Sequence, residues 1–498
     1  MRLAVALQRL QSDPNGLAIV DATGDCSWQE LFAGVLDAVD LLRGESVEPG
    51  GHIALWPANR KEYYQCLLGA IFAGAWITPL NQHLTRSEVR YIIEDSEASR
   101  VLVAGRSHES LEGLSCLSLQ PLHVVKSAQT VFDELNALLA DTPGGVLMYT
   151  SGTTGKPKGV RRNTPATVSA TLNNWCELGE SIGLDGNGPH LVTGPVYHAA
   201  PGLYALYDLL NGSPVILMER FDSEQCVALI EQHRVRHTHL VPTLFVRLLR
   251  DRALFSRDYD LSSLQLVLHG AAPIAPAVKR AMIDWWGSSL VEYWGGSESG
   301  IITRVEARDW LEREGTVGRP LPQYQVSVRD ENFNALPPQE IGTLYARRSG
   351  VPRPFEYHRD LEKTRSCYVQ DWFTLGDMGW LDEAGYAYIA DRRNNLIISG
   401  GVNVYPAEVE GVLLAHQQVL DVAVVGVDDP EWGKRVHAIV QPAVEEGDWQ
   451  VLQQQLIDLC GNNLASFKCP RSWEFVRELP RFDSGKLYRS RLEKPAEH

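Results

Sequence analysis

The chain has 498 residues, beyond the size at which a single hydrophobic core keeps growing, so at least two domains are expected. Hydrophobic residues make up 44% and charged ones 22%, as in ordinary globular proteins, and 46 Lys and Arg against 62 Asp and Glu give a net charge of -16, which argues against general nucleic-acid binding. The 8 cysteines are scattered with no CxxC pair, which suits reduced thiols better than a disulfide framework or a zinc site. The opening "MRLAVALQRL" lacks a signal-peptide core, and "CLLGAIFAGAWITPL" is too short to span a bilayer, so a cytoplasmic protein without stable membrane insertion is expected.

In chain order, short apolar runs alternate with helical patterns: "LAIVD", "SWQELFAGVLDAVDLLRG", "HIALW", "NRKEYYQCLLGAIFAGA", "TRSEVRYIIEDSEA" and "RVLVA". Ser27 with Glu30 and Thr85 with Glu88 have the spacing of capping boxes, and the alternation predicts a parallel, helix-covered sheet. A second series follows, with strands expected at "HLVTG", "PVILM", "HTHLV" and "LQLVLHG", and helices at "DSEQCVALIEQHRV" and "PAVKRAMIDWW". Between about 315 and 390 the text turns to short strands punctuated by Pro and Gly, which reads as a smaller β unit. The polar cluster in "DRRNNLIISGG" precedes a new βα pattern. The expected division is therefore a large α/β body over 1–393, with parallel βα layers plus the β unit, and a small α/β domain over 394–498 on a hinge.

The stretch "YTSGTTGKPKGV" follows the buried-strand pattern "GVLMYT". A Walker A loop needs four residues between its glycines and Ser or Thr after its Lys; here two residues separate Gly152 from Gly155, and Lys156 precedes Pro157. A linker seldom leaves a core strand so abruptly. The remaining reading is a loop that embraces phosphate: glycines allow close backbone approach, Thr150, Ser151, Thr153 and Thr154 supply donors, and Lys156 and Lys158 supply charge.

This signature resembles that of the adenylate-forming superfamily, which includes acyl- and aryl-CoA synthetases, and further motifs occur in the family's order over nearly the whole chain. The resemblance assigns an adenine wall to Gly270, Ala271 and Ala272 in "LHGAAP". In "VEYWGGSESG" it assigns adenine stacking to Trp294, backbone to Gly295, an α-phosphate contact to Ser297 and magnesium to Glu298. Asp377 in "TLGDMG" would accept both ribose hydroxyls, and Arg392 would donate to the same ribose. Asn394 stands at the hinge position, where relatives usually carry Asp or Lys. Lys486 in "PRFDSGKLYR" resembles the catalytic lysine that neutralises charge as the carboxylate attacks the α-phosphorus.

His198 in "GPVYHAAPG" matches a histidine at the mouth of the acyl pocket, a gate or phosphate contact rather than a base, with a satisfied core histidine as the competing reading. Ala199 stands about where amino-acid-activating relatives place Asp, which disfavours an amino-acid substrate. His239, Tyr293 and Gly300 are expected to line the acyl pocket; Gly300, Ala271 and Ala272 leave room for a bulky apolar acid, and His239 offers a contact to a polar group on it. His233, His237 and His239 lack a fourth ligand, which disfavours zinc. For CoA the resemblance points to Gly400 and Gly401, with Trp432, Phe467, Lys468 and Arg471 around the nucleotide; surface packing is an equal reading of Trp432.

The implied activity is an AMP-forming ligation of a hydrophobic carboxylic acid to CoA, using ATP and Mg2+. "VPTLFVRLL" and "KRAMIDWWG" look most like bacterial fatty-acyl-type CoA ligases. The alternatives are loading of a carrier protein and a non-catalytic nucleotide-binding relative; the sequence leaves an oligomer open.

Overall fold

The computed structural model describes residues 4–104, 109–119, 126–150, 156–399, 402–430, 432–443, 447–481, 487 and 492. Among them the strands form sheets of 15, 7 and 5 strands. No described helix is long and apolar enough to cross a membrane.

In the seven-stranded sheet Cys116–Ser118, Ala98–Val103, His52–Trp56, Trp76–Pro79 and Gly145–Thr150 run parallel, as the alternating pattern predicts. Lys158–Arg162 and Phe355–Tyr357 then extend it antiparallel. Both capping boxes form: Ser27 and Thr85 each accept from the backbone of the glutamate three residues on, which returns a bond to the cap's own N–H, at the starts of Trp28–Gly44 and Arg86–Ser96. Helix Lys61–Ala73 is buried from Tyr63 onward, which fits its near-continuous apolar sequence.

The first strand departs from expectation. Leu17–Asp21 does not join its sequence neighbours but pairs parallel with Val215–Leu217 in the other sheet, with Gly24–Ser27 folded back on it as the edge. Periodicity shows that a strand is buried, not which sheet completes it. In that large sheet, parallel strands Leu17–Asp21, Val215–Leu217, His190–Val192, His237–Leu240, Leu266–His269 and Leu290–Gly296 lead into antiparallel Gly300–Glu306, Thr316–Pro320 and Ala387–Arg392. The β unit is therefore continuous with the large sheet by backbone pairing and is not a separate layer. The last sheet, from Ile397–Ser399 through Ser472–Phe475, carries its own core around Val409, Leu413, Val424 and Leu456.

Helix Pro276–Trp286 is packed as its pattern suggests, but it also buries Lys279, whose ammonium meets Glu292 and lies 4.6 Å from the Trp310 ring centre. Burial lowers the Lys279 pKa and raises that of Glu292, while their pairing counters both. Lys279→Met is expected to cost about 3–5 kcal/mol in urea unfolding, because it strands the Glu292 carboxylate, and Lys279→Met with Glu292→Leu should recover most of the loss.

Candidate functional site

The turn from Gly296 to Gly300 joins two antiparallel strands and carries Ser297 and Glu298 into a cleft of about 1840 Å³. Its backbone is tight: a Cβ on Gly295 would lie 2.0 Å from the Gly300 carbonyl oxygen, and Gly300 has a φ of +73°. Side chains from remote segments hold it. Arg162 Nε donates to the Ser297 carbonyl at 2.8 Å and Nη2 to that of Gly296 at 3.3 Å. The Tyr324 hydroxyl donates to the Ser299 carbonyl at 2.7 Å, and Tyr357 donates to Glu298 Oε1 at 3.0 Å. Burial, then the Glu298 charge, push the Tyr357 phenol pKa up, so it stays a donor. A single carboxylate facing a cleft suits a magnesium ion that also needs phosphate oxygens.

Strand Gly145–Thr150 delivers Thr150 to the cleft, while Ser151, Gly152, Thr153, Thr154 and Gly155 of the expected phosphate loop lie outside the described residues. Lys156 Nζ sits 5.2 Å from the Tyr91 ring centre, and Lys158 Nζ pairs with Asp360 Oδ2 at 2.7 Å. Gly270 follows strand Leu266–His269; Ala271 and Ala272 line the cleft, and Ala271 holds a left-handed φ of +67°. Such a conformation at a small residue exposes backbone to a ligand. Asp377 faces Arg392 across two antiparallel strands, with Arg392 Nε 3.3 Å from its Oδ1. The Trp294 indole donates to Asp377 Oδ2 at 2.7 Å and is buried; neither side chain lines the cleft, so the ring expected to stack on adenine is packed against Asp377 instead. Burial raises the Asp377 pKa, and Arg392 and Trp294 oppose that rise.

Another side of the cleft is built by helix Ala199–Leu210, which is not among the helices expected from the sequence. His198 is its N-cap residue and lines the cleft, its ring 4.6 Å from that of Tyr197. Tyr204 sets its ring edge against His239 and Tyr293, at 5.6 and 5.9 Å between centroids. His239 Nε2 and the Tyr293 hydroxyl are 3.0 Å apart, both buried. Burial depresses the His239 pKa to about 3, so its ring is neutral. His237, on the same strand face, is held by the buried Asp208 carboxylate at 2.7 Å, with His190 at 3.0 Å from the same oxygen, and His233 ends a separate helix. His190 and His237 thus share one carboxylate, while His239 meets Tyr293 and His233 sits on another element.

The small domain meets the cleft through helix Pro406–Leu414 and through Leu479 and Arg481. Asp391 Oδ2 accepts from the Ala407 N–H at 2.9 Å, which bridges the two domains at the start of that helix. Arg481 bridges antiparallel to Leu487, and Lys486 between them lies outside the described residues. So do Gly400, Gly401 and the side chain of Asn394. Of the expected CoA groups, Arg471 stacks 3.9 Å over the Trp432 ring and Lys468 pairs with Glu408 at 2.6 Å; neither they nor Phe467 line the cleft.

The fold and the cleft are those of an adenylate-forming enzyme. Residues 7–354 match the AMP-binding enzyme family and 408–486 its C-terminal domain, and the chain belongs to that family. It is 32% identical over 500 residues to a 2-succinylbenzoate–CoA ligase of Bacillus pumilus, covering 98% of this chain and 96% of that one. Against the long-chain-fatty-acid–CoA ligase FadD13 of Mycobacterium tuberculosis it is 29% identical, over 97% and 96% of the two chains. The o-succinylbenzoate CoA synthetase (MenE) of Bacillus subtilis, solved with the acyl-adenylate OSB-AMP, superposes with a TM-score of 0.83 at 25% identity, covering 99% and 98%.

Two expectations follow from the geometry. Buried His239, whose pKa is lowered to about 3 from 6.5, binds fewer protons folded than unfolded between those values, so folding loses stability as pH falls through that window. His190 and His269, also lowered by burial, act in the same direction. His239→Gln should flatten the acid-side slope of stability by up to about 1.4 kcal/mol per pH unit, read from urea midpoints at successive pH values. Trp294→Phe removes a hydrogen bond to a buried carboxylate and is expected to weaken AMP binding about tenfold by calorimetry.

Proposed function

We infer that the chain ligates a carboxylic acid to CoA in two steps that share the cleft. ATP and the acid bind first; the acid's carboxylate oxygen attacks the α-phosphorus, pyrophosphate leaves, and an acyl-adenylate remains. The CoA sulfur then attacks the acyl carbon and AMP departs. The observation that carries this reading is convergence: Ser297, Glu298 and Arg392 open on the same cleft as His198, His239 and Tyr293.

Attack of one anion on another needs fixed positive charge. In this reading Thr150, Lys156 and the rest of the loop take the phosphates, and Ser297 touches the α-phosphate. Asp377, aligned by Arg392 and Trp294, takes the ribose, and Ala271 and Ala272 flank adenine. Glu298 would hold Mg2+, which would supply charge neutralisation for the departing pyrophosphate. Lys486 enters from the small domain, whose Arg481 already lines the cleft. His198 gates the acyl side.

The second step calls for a different orientation, because Trp432 and Arg471 stand off the cleft as the domains now sit. Rotation about Asn394, at a boundary between 393 and 394, would break the Asp391 to Ala407 bond and bring Gly400, Gly401, Trp432, Phe467, Lys468 and Arg471 toward the thiol path. The 8 cysteines are all unbridged, which supports a reducing, cytoplasmic setting.

Lys486→Ala is expected to lower acid-dependent pyrophosphate release by about a thousandfold or more, while a supplied acyl-adenylate is still converted to thioester in the presence of CoA. Mass spectrometry of the products checks both halves. Pyrophosphate release at the parental rate would remove the lysine from its role.

A further inference from the structure

Strand alternation sorts two pairs of neighbouring arginines. Arg161 and Arg347 have carboxylate partners, Glu356 at 3.9 Å and Asp371 at 3.3 Å. Arg162 and Arg348, one residue on in each strand, line the cleft, and neither makes an ion pair among the described residues. In a chain with 62 acidic residues, that omission is unusual.

The two guanidiniums act on one wall. Arg162 spends Nε and Nη2 on the Ser297 and Gly296 carbonyls, and its Nη1 and Nη2 lie 3.7 and 3.8 Å from where a Cβ on Gly300 would stand. Gly300 therefore opens the cleft directly onto that charge. Arg348 pairs in register with Tyr324 on the adjacent strand. Burial raises the phenol pKa values of Tyr207 and Tyr324, and the charges of both Arg162 and Arg348 oppose that rise at each hydroxyl. The carbonyl bonds orient Arg162 without neutralising it, and an uncompensated cation beside a largely apolar pocket is costly to desolvate. A substrate carboxylate would compensate it, since guanidinium forks match carboxylates in shape.

We propose that the acid activated here carries a second carboxylate on an apolar body, and that Arg162 and Arg348 bind this second carboxylate against the Gly300 side of the pocket. The proposal rests on the acid-activating reading given above. Tyr204, Tyr293 and neutral His239 hold the apolar body, and the charged end stays on the arginine wall. Arg348 would select the substrate, and Arg162 would both select it and position the turn bearing Ser297.

Matched acids test this. Acid-dependent pyrophosphate release is measured with octanoate against octanedioate and with hydrocinnamate against its ring-carboxylated analogue, for the parent chain, Arg348→Gln, Arg348→Lys and Arg162→Lys. The parent is expected to favour the diacid of a pair by about tenfold or more in kcat/KM. Arg348→Gln should lower the diacid-to-monoacid ratio by about tenfold, mainly through KM for the acid, and Arg348→Lys should restore part of it. Arg162→Lys should lower the ratio in the same direction. Preference for the monoacid, a ratio that Arg348→Gln leaves unmoved, or a change confined to KM for ATP would each overturn the assignment while leaving acid activation intact. Absence of pyrophosphate release with every acid, despite bound ATP, would instead overturn the acid-activating reading and this proposal with it.

Discussion

The turn bearing Ser297 and Glu298 is held chiefly by side chains that reach it from elsewhere. Arg162 grips two carbonyls, Tyr324 a third, and Tyr357 the carboxylate itself. Each comes from a different strand or strand edge, so the geometry of the turn depends on the two large sheets being assembled in register. Fixed dipoles around a reacting phosphate need no reorganisation as charge develops, and that advantage lasts only while the frame is rigid. The close contact of Gly295 with the Gly300 carbonyl makes the same demand from inside the turn.

Around this frame the interior is polar in a controlled way. Lys279 and Glu292, the latter on the strand that leads into the turn, neutralise each other, and Asp208 of the buried helix Ala199–Leu210 holds His190 and His237. His239 is kept neutral by burial, so the cleft has a polar group without a fixed charge at that point. Charge lining the cleft is carried instead by groups such as Lys158, Glu298, Arg162, Arg348 and Arg392.

Much of this was legible in the amino-acid order wherever interactions are local. The capping boxes at Ser27 and Thr85 need only a four-residue window, and both form as read. The strand before the Ser/Thr/Gly/Lys run and the strand before Gly270 are short apolar runs, the second of them wholly buried, that pattern alone reveals. Helix Ala199–Leu210 is not legible in the sequence because Pro201 and Gly202 look like breakers. Pro201 sits in the first turn, where its missing N–H costs nothing, and Gly202 is buried against the Val196 carbonyl. The pairing of Leu17–Asp21 with Val215–Leu217 and the reach of Tyr357 to Glu298 join segments far apart in sequence, and no short window holds both partners. Arg162 and Arg348 look like ordinary polar residues at strand ends until alternation is combined with knowledge of which face meets the cleft.

Strand Ala387–Arg392 is stitched to Thr316–Pro320, and through it to the hairpin that presents Glu298. The same strand ends at Asp391 and Arg392, where the two domains meet. In the proposed mechanism the pivot is thus anchored to the sheet that presents Glu298, and a swinging appendage has no lever on a bound intermediate. Swivelling can exchange the chemical groups presented to a mixed anhydride while the anhydride stays put, so no reactive species need be handed across solvent.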